Sequence, residues 1–341
     1  MKELLKGLLE KNIVAAVLVP AKTTYGKVPF PLFIKNPELV EDADPFAPVM
    51  PVSMATQVSK LTRLASPDEP VAVVMKPCEL RALVELVKFR QAGLENLLII
   101  SFECPGVFTI EDYINVVEKG ENPIELAKAK DGIRRACRGC LYPYPYAHFD
   151  IAYSFAQDGF YAGTEKGRNA LESLGIEVKE RDEEAIRKET EERRKFWEEV
   201  RKKTREEVYG LENLMSFLSR CVGCHNCKDL CPICYCKECF WESPVFDYRP
   251  DSFFDWGNKK GGVRMPTDIF FYHVGRLTHM SLSCVGCGLC EDACPQDIEL
   301  QRLFLHVALN TQAAFEYTPG LSLEDVPPLT TFKEDEIPEL G

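Results

Sequence analysis

The sequence predicts two folded parts of different class: an α/β domain over residues 1–178 and a cysteine-rich α+β domain over residues 213–318. Three observations predict this. Residues 71–102 read as a buried strand, an amphipathic helix and a second buried strand. Residues 221–232 and 284–295 repeat one cysteine spacing. Residues 179–212, between the two parts, are dense in both charges and poor in apolar positions.

The first part follows from apolar runs. VAAVLVP reads as a buried strand. VAVVM then runs into KPCELRALVELVKFRQAG, an amphipathic helix, and NLLIISFE is a further buried strand. Strand, helix and strand within about thirty residues make a βαβ unit with a right-handed crossover. A mixed sheet built on such units is expected. Pro77 suits the first turn of the helix. Cys78 then sits at a helix N-terminus and at a strand's carboxyl end, where α/β proteins place ligands. The positive helix end favours a thiolate or a phosphate there. Cys104, in ECPG, follows the next strand and opens onto the same edge. Cys137 and Cys140 form CRGC after a turn and a basic stretch.

The stretch KERDEEAIRKETEERRKFWEEVRKKTREE reads as a solvated connecting helix carrying i,i+4 ion pairs. Residues 319–341 are acidic and contain four prolines. They cannot form a core alone and are expected to lie extended on this chain or on a partner.

Bulk properties narrow the function. The formal net charge of −12 argues against nucleic acid or an anionic membrane as partner. No apolar run approaches the roughly 20 residues of a membrane span. The N-terminal apolar stretch is interrupted by Glu3, Lys6, Glu10 and Lys11, and no small-residue cleavage site follows. A cytoplasmic location is therefore expected. A reducing compartment leaves the fifteen cysteines available for metal rather than disulfides.

CVGCHNCKDLCP and CVGCGLCEDACP share the spacing C-x2-C-x2-C-x3-C-P. That spacing serves bacterial-type two-cluster ferredoxins. Three thiolates two residues apart reach three irons of one cube, and the fourth, held away by the Cys-Pro turn, ligates the other cube. One [4Fe–4S] cluster thus takes Cys221, Cys224, Cys227 and Cys294, and a second takes Cys284, Cys287, Cys290 and Cys231. Gly223, Gly286 and Gly288 suit the crowded loops. Structural zinc is the competing reading. It prefers two separated C-x2-C pairs around one ion, which two four-cysteine runs fit badly.

The second part is thus an α+β ferredoxin domain interrupted by a helical insert, residues 232–283. The insert opens with Cys234, Cys236 and Cys239 in C-x-C-x2-C. These three can recruit a fourth thiolate, hold zinc with His225, or remain spare thiols beside a cluster. The rest of the insert reads as a Gly-containing loop and then an apolar helix. His273 and His279 on that helix are read as packing or surface residues. In the first part, Cys78, Cys104, Cys137 and Cys140 bring the dispersed cysteines to four, enough for a third [4Fe–4S] cluster. The alternative is a structural Cys78, with zinc or nothing at CRGC.

Taken together, MKPCELRALVEL, ECPG, CRGC followed by FDIAYSFAQDGFYAGTEKG, RCVGCHNCKDLCPICYCKECF and SCVGCGLCEDACP resemble the beta subunit of formate dehydrogenases, in the coenzyme F-420 hydrogenase/dehydrogenase beta subunit family. The resemblance covers roughly residues 45–325. Ferredoxin runs alone are widely shared; the specific part is KPCE, ECPG and CRGC joined to CPICYCKEC. The resemblance implies iron–sulfur clusters and FAD. It implies relay of electrons between a catalytic alpha subunit (a molybdenum or tungsten formate dehydrogenase, or a hydrogenase) and a soluble acceptor or a heterodisulfide-reductase-like electron-bifurcating complex. It places Cys104, Cys137 and Cys140 on a cluster near the flavin, with Lys76, Pro77 and Glu79 facing the cofactor. Flavin-binding members carry a glycine pair before the first helix, where this chain has PVSMATQVSKL. No Gly-rich phosphate loop lies elsewhere in residues 1–110.

The expected function is an electron-relay subunit without a catalytic residue for substrate. Two other readings compete. One is a self-contained flavin and iron–sulfur oxidoreductase acting directly on coenzyme F-420 or NAD(P). The other is a zinc-stapled interaction protein.

Overall fold

Runs of Val, Ile, Leu and Ala bounded by proline, glycine and asparagine become the strands of one sheet. The structure, a computed structural model, describes residues 1–24, 26–246, 250–261 and 267–331. Its six strands are β1 (Ala16–Thr23), β2 (Gly26–Ile34), β3 (Val71–Val74), β4 (Leu97–Phe102), β5 (Ile151–Ser154) and β6 (Gly159–Ala162). The order is β2-β1-β3-β4-β5-β6. The four inner strands run parallel, and β2 and β6 pair antiparallel at the edges.

Inner strands of such a sheet are covered on both faces, so they read as continuous apolar runs. Side chains still alternate along each strand. Val71, Val73, Leu97 and Ile99 pack on one face, while Ala72, Val74, Leu98 and Ile100 pack on the other. Helices Lys2–Glu10 and Glu165–Ser173 cover the second face through Leu4, Leu5, Leu8, Ala170 and Leu171. Helices Met54–Thr62 and Pro77–Lys88 cover the first through Met54, Val58, Leu80 and Leu83.

The first face does not stop at those helices. Leu218, Ile233, Tyr272, Leu277, Val285 and Phe304, all from the cysteine-rich part, join the same apolar cluster. Polar ties seal the junction. The Arg81 guanidinium donates to the carbonyls of Pro319 (3.0 and 2.7 Å) and Val285 (3.2 Å). The buried Glu85 carboxylate accepts from Gly320 N–H (2.8 Å) and the Tyr317 hydroxyl (2.7 Å), and pairs with Lys88 (2.6 Å). Gly320 has φ +73°, and a Cβ there would lie 2.2 Å from the Arg81 carbonyl oxygen, so only glycine fits.

The cysteine-rich part differs from the α+β expectation. Among the described residues no strand follows β6. Its frame is helical: Leu211–Leu218, Thr267–Met280 and Leu300–Ala314, with one-turn helices Asn226–Asp229 and Leu289–Asp292 inside the cysteine runs. Long helices take the packing positions that short strands hold in a small ferredoxin. The stretch read as a Gly-containing loop is partly a helix, Pro250–Lys260, ended by Gly261 at φ +74°; residues 262–266 lie outside the described residues. The charged segment is a 26-residue helix, Glu183–Val208, but it is not a plain solvated spacer. It buries Ile186, Arg193, Trp197 and Thr204 along one stripe and packs on Leu300–Ala314. Of the tail, residues 319–331 follow the junction and form one short turn at Pro328–Thr330; residues 332–341 lie outside the described residues.

Candidate metal centres

Cys284, Cys287, Cys290 and Cys231 line one small cavity, with Pro232, Ile233, Met280, Val285 and Phe304 as its apolar wall. Gly286 (φ +73°) and Gly288 (φ +81°) turn the backbone through the left-handed region between these cysteines. Burial pushes the Cys284 thiol up to about 11, with Cys231 adding to the shift. Burial also lifts Cys290 well above the usual thiol range, and Cys287, Cys231 and Cys284 add to it. Each thiol is therefore close enough to the others to resist ionising beside them. Cys231 goes the other way. The Cys234 thiol donates to it, which lowers the Cys231 pKa and raises that of Cys234.

Two more polar groups line this cavity, and neither is expected in an apolar hole. The Gln301 side chain is buried, and both its amide atoms lack a partner. The Arg276 guanidinium is buried as well, and its Nε lacks a partner. Orphaned buried N–H donors are costly in an empty space. They suit a space filled by sulfur-rich, anionic material.

The first run forms a second group. Burial raises the Cys221 thiol, the Gly223 N–H 3.5 Å away lowers it, and Cys227, Cys294 and Cys224 raise it again. Burial raises Cys227, Arg276 lowers it, and Cys224 and Cys294 raise it. Cys294 is thus near Cys221 and Cys227, and Cys231 lines the cavity of the second run. The helix Thr267–Met280 covers this group. Its Tyr272 hydroxyl is 3.5 Å from Cys227 Sγ, its His273 Nε2 is 3.3 Å from Cys221 Sγ, and Arg276 Nη1 is 3.1 Å from Cys227 Sγ. His273 is fully buried, and burial lowers its pKa to about 4. It is therefore a packing residue that also faces a cysteine. His279 is exposed.

The dispersed cysteines meet beyond the carboxyl ends of β3 and β4. Burial pushes the Cys104 thiol up to about 12, and Cys137 and Cys140 add to it while Lys76 opposes them. Burial raises Cys78 too, followed by Cys287 and then, after Glu79, by Cys104 and Cys140. Cys78 therefore stands between this group and the second run. Arginines fix the loops. Arg193 donates to the carbonyls of Cys137 (2.5 Å), Cys104 (3.4 Å) and Pro105 (3.3 Å), and it pairs with Glu189 (2.6 Å). Arg134 pairs with Asp292, donates to the Cys287 carbonyl (3.2 Å), and lies 3.9 Å from Cys137 Sγ.

The remaining cysteines differ in their surroundings. Cys234 is half-buried beside Met280 (3.5 Å), Cys236 is exposed, Cys239 is half-buried, and His225 stacks on Tyr272 with centroids 4.2 Å apart. Among the described residues no three Cys, His, Asp or Glu side chains are gathered to hold a single metal ion. The Lys76–Glu79 turn does not fit a flavin. Lys76, Pro77 and Glu79 are buried. Glu79 accepts from Lys76 N–H (2.8 Å) and Met54 N–H (2.7 Å), which closes the turn onto PVSMATQVSKL.

The 4Fe-4S binding domain family matches residues 280–298. Over 370 aligned residues the chain is 31% identical to the F420-dependent formate dehydrogenase subunit beta of Methanocaldococcus jannaschii, covering 96% of this chain and 92% of that one. The chain belongs to the family of formate dehydrogenase beta subunits. Within the family it is also 26% identical to the F420-dependent formate dehydrogenase 1 subunit beta of Methanococcus maripaludis, over 96% of this chain and 91% of that one. Among solved structures, a chain of the F420-reducing [NiFe] hydrogenase complex from Methanosarcina barkeri overlaps 62% of this chain and 86% of its own at TM-score 0.42 and 15% identity. That overlap is too loose to build on.

The two ferredoxin runs were read from spacing, and Cys78 and Cys104 from their places after predicted strands. Arg134, Arg193, Arg276 and Gln301 were not. A sequence clue existed for Arg276: an arginine set into the apolar stretch DIFFYHVGRLTHM, three residues after His273.

Proposed function

We propose that this chain is the iron–sulfur relay subunit of a cytosolic formate dehydrogenase complex, holding three [4Fe–4S] clusters. Clusters supply one-electron transfer, with potentials set by charge, hydrogen bonds and exposure. Cys221, Cys224, Cys227 and Cys294 hold the first, and Cys284, Cys287, Cys290 and Cys231 the second. Cys104, Cys137, Cys140 and Cys78 hold the third. The carrying observation is the cavity lined by Cys231, Cys284, Cys287 and Cys290, which Gln301 and Arg276, two buried side chains holding unpartnered polar atoms, also line.

Cys78, between the dispersed group and the second run, supports one continuous path across the three sites. In this reading residues 1–178 carry the third site and residues 213–318 the other two. Formate oxidation then belongs to a catalytic alpha subunit with molybdenum or tungsten. Electrons pass singly to a heterodisulfide-reductase-like complex, or to coenzyme F-420, which the relatives' names carry, by way of a partner's flavin that gathers two electrons and a proton into a hydride. No helix among the described residues is long and apolar enough to cross a membrane, which agrees with soluble partners.

The test is iron, zinc and flavin content per chain, after purification without oxygen. About twelve irons are expected from three four-iron sites. About eight would remove the dispersed site. Zinc without iron would overturn the reading.

A further inference from the structure

Arg276 sits on the helix Thr267–Met280, inside the insert that separates the two ferredoxin-type runs. Its side chain addresses both. Nη1 lies 3.1 Å from Cys227 Sγ and Nη2 donates to the Cys227 carbonyl (3.0 Å), on the first run. The same guanidinium lines the cavity of the second run, with Nη2 3.9 Å from Cys234 Sγ.

The charge balance is unusual. Arg276 is 4% exposed, yet among the described residues no carboxylate pairs with it, and its Nε has no partner. Arg134, Arg193 and Arg302, also buried, each meet a carboxylate, and Arg81, which meets none, has its Nε, Nη1 and Nη2 all on carbonyls. A buried cation without a counter-charge is strongly disfavoured. Two loaded sites, each with four thiolates, would supply the missing negative charge from both sides.

Building on the function proposed above, we propose that Arg276 sets the reduction potentials of both ferredoxin-type clusters, holding them higher than their thiolates alone would. An added electron makes a cluster more negative. A fixed cation at hydrogen-bond distance in a low-dielectric site stabilises that reduced form more than the oxidised one. The insert then serves electron transfer directly, because its helix carries one positive charge between two anionic centres.

The experiment uses the full chain, purified without oxygen, as wild type, R276Q, R276K and R302Q. Iron content is measured first, and midpoint potentials follow by redox titration monitored by electron paramagnetic resonance. Expected for R276Q is unchanged iron and both ferredoxin-type midpoints moved to more negative values. The shift should be at least about tenfold in each reduction equilibrium, or about 59 mV per one-electron step. R276K, which keeps the charge, should restore most of it, and R302Q should move neither. Full iron with unmoved potentials, or a shift at one cluster only, overturns the proposal. If R276Q fails to load, R276K decides. Full iron with near wild-type potentials supports charge as the cause, and iron loss there too makes Arg276 a packing residue and overturns it. Wild-type protein without iron at these sites would sink the underlying function instead.

Discussion

Replacing Arg193 by leucine should open the dispersed site and leave the other two loaded. The magnitude follows from what Arg193 holds. Its contacts to the Cys104 and Pro105 carbonyls, at 3.4 and 3.3 Å, are long and contribute little. The Cys137 carbonyl, at 2.5 Å, would lose a short charge-assisted bond and become a buried orphan, at about 1–3 kcal/mol. Glu189 would keep Lys130 at 2.9 Å, so only part of the roughly 1.5–3 kcal/mol of its bond to Arg193 is lost. The sum is about 3 kcal/mol, or roughly a hundredfold in the opening equilibrium of the two loops. Hydrogen exchange on peptides spanning 103–107 and 134–140 reads this directly. In R193L those peptides should exchange about a hundredfold faster, and iron should fall from about twelve to about eight per chain. R193K keeps a charge without the planar fork and should fall between. Unchanged exchange in both loops, or equal iron loss from all three sites, would refute the reasoning.

Three further outcomes are expected. C294S should abolish the cluster of Cys221, Cys224 and Cys227 and spare that of Cys284, Cys287 and Cys290, because Cys294 stands with the first run; paramagnetic resonance of the remaining signals distinguishes the two. Burial, followed by Arg201 and Arg205, lowers the His306 pKa. Below about pH 6.5 the unfolded chain takes a proton there that the folded chain resists, so stability is lost as pH falls. Wild type should lose more melting temperature than H306Q between pH 7.5 and 5.5. G320A should cost at least about 1–3 kcal/mol through strain at positive φ, and the clash with the Arg81 carbonyl adds to it. A lower melting temperature with normal iron content would show it.

The sheet was legible because its inner strands are buried on both faces, so VAVV and LLIISF carry their assignment in composition alone. The ferredoxin runs were legible because ligand spacing is local. What was hidden depends on distant partners. Ile186, Arg193, Trp197 and Thr204 recur at intervals of seven, four and seven along the charged helix, a single stripe in register with a helix. The arginine and the threonine hid its apolar character. The α+β expectation failed in the cysteine-rich part because the sulfur spacing fixes the loops around a cluster and says nothing of the frame beyond them. Arg276 becomes meaningful only when its helix lies against both runs at once, which no local pattern announces.

The exchange of Cys231 and Cys294 between the two runs has a consequence for how the protein is made. Chains emerge from the ribosome N-terminus first, and domains fold largely in that order. The sheet is complete once β6, ending at Ala162, has emerged. Cys221, Cys224 and Cys227 must wait some seventy residues for Cys294, and Gly320 must arrive before Glu85 accepts its N–H. A half-made chain therefore presents open triads of reactive thiols beside a finished sheet. With the ligand sets proposed above, the first cluster closes only late in synthesis, and a product truncated before Cys294 would be a thiol-rich fragment rather than a smaller working relay.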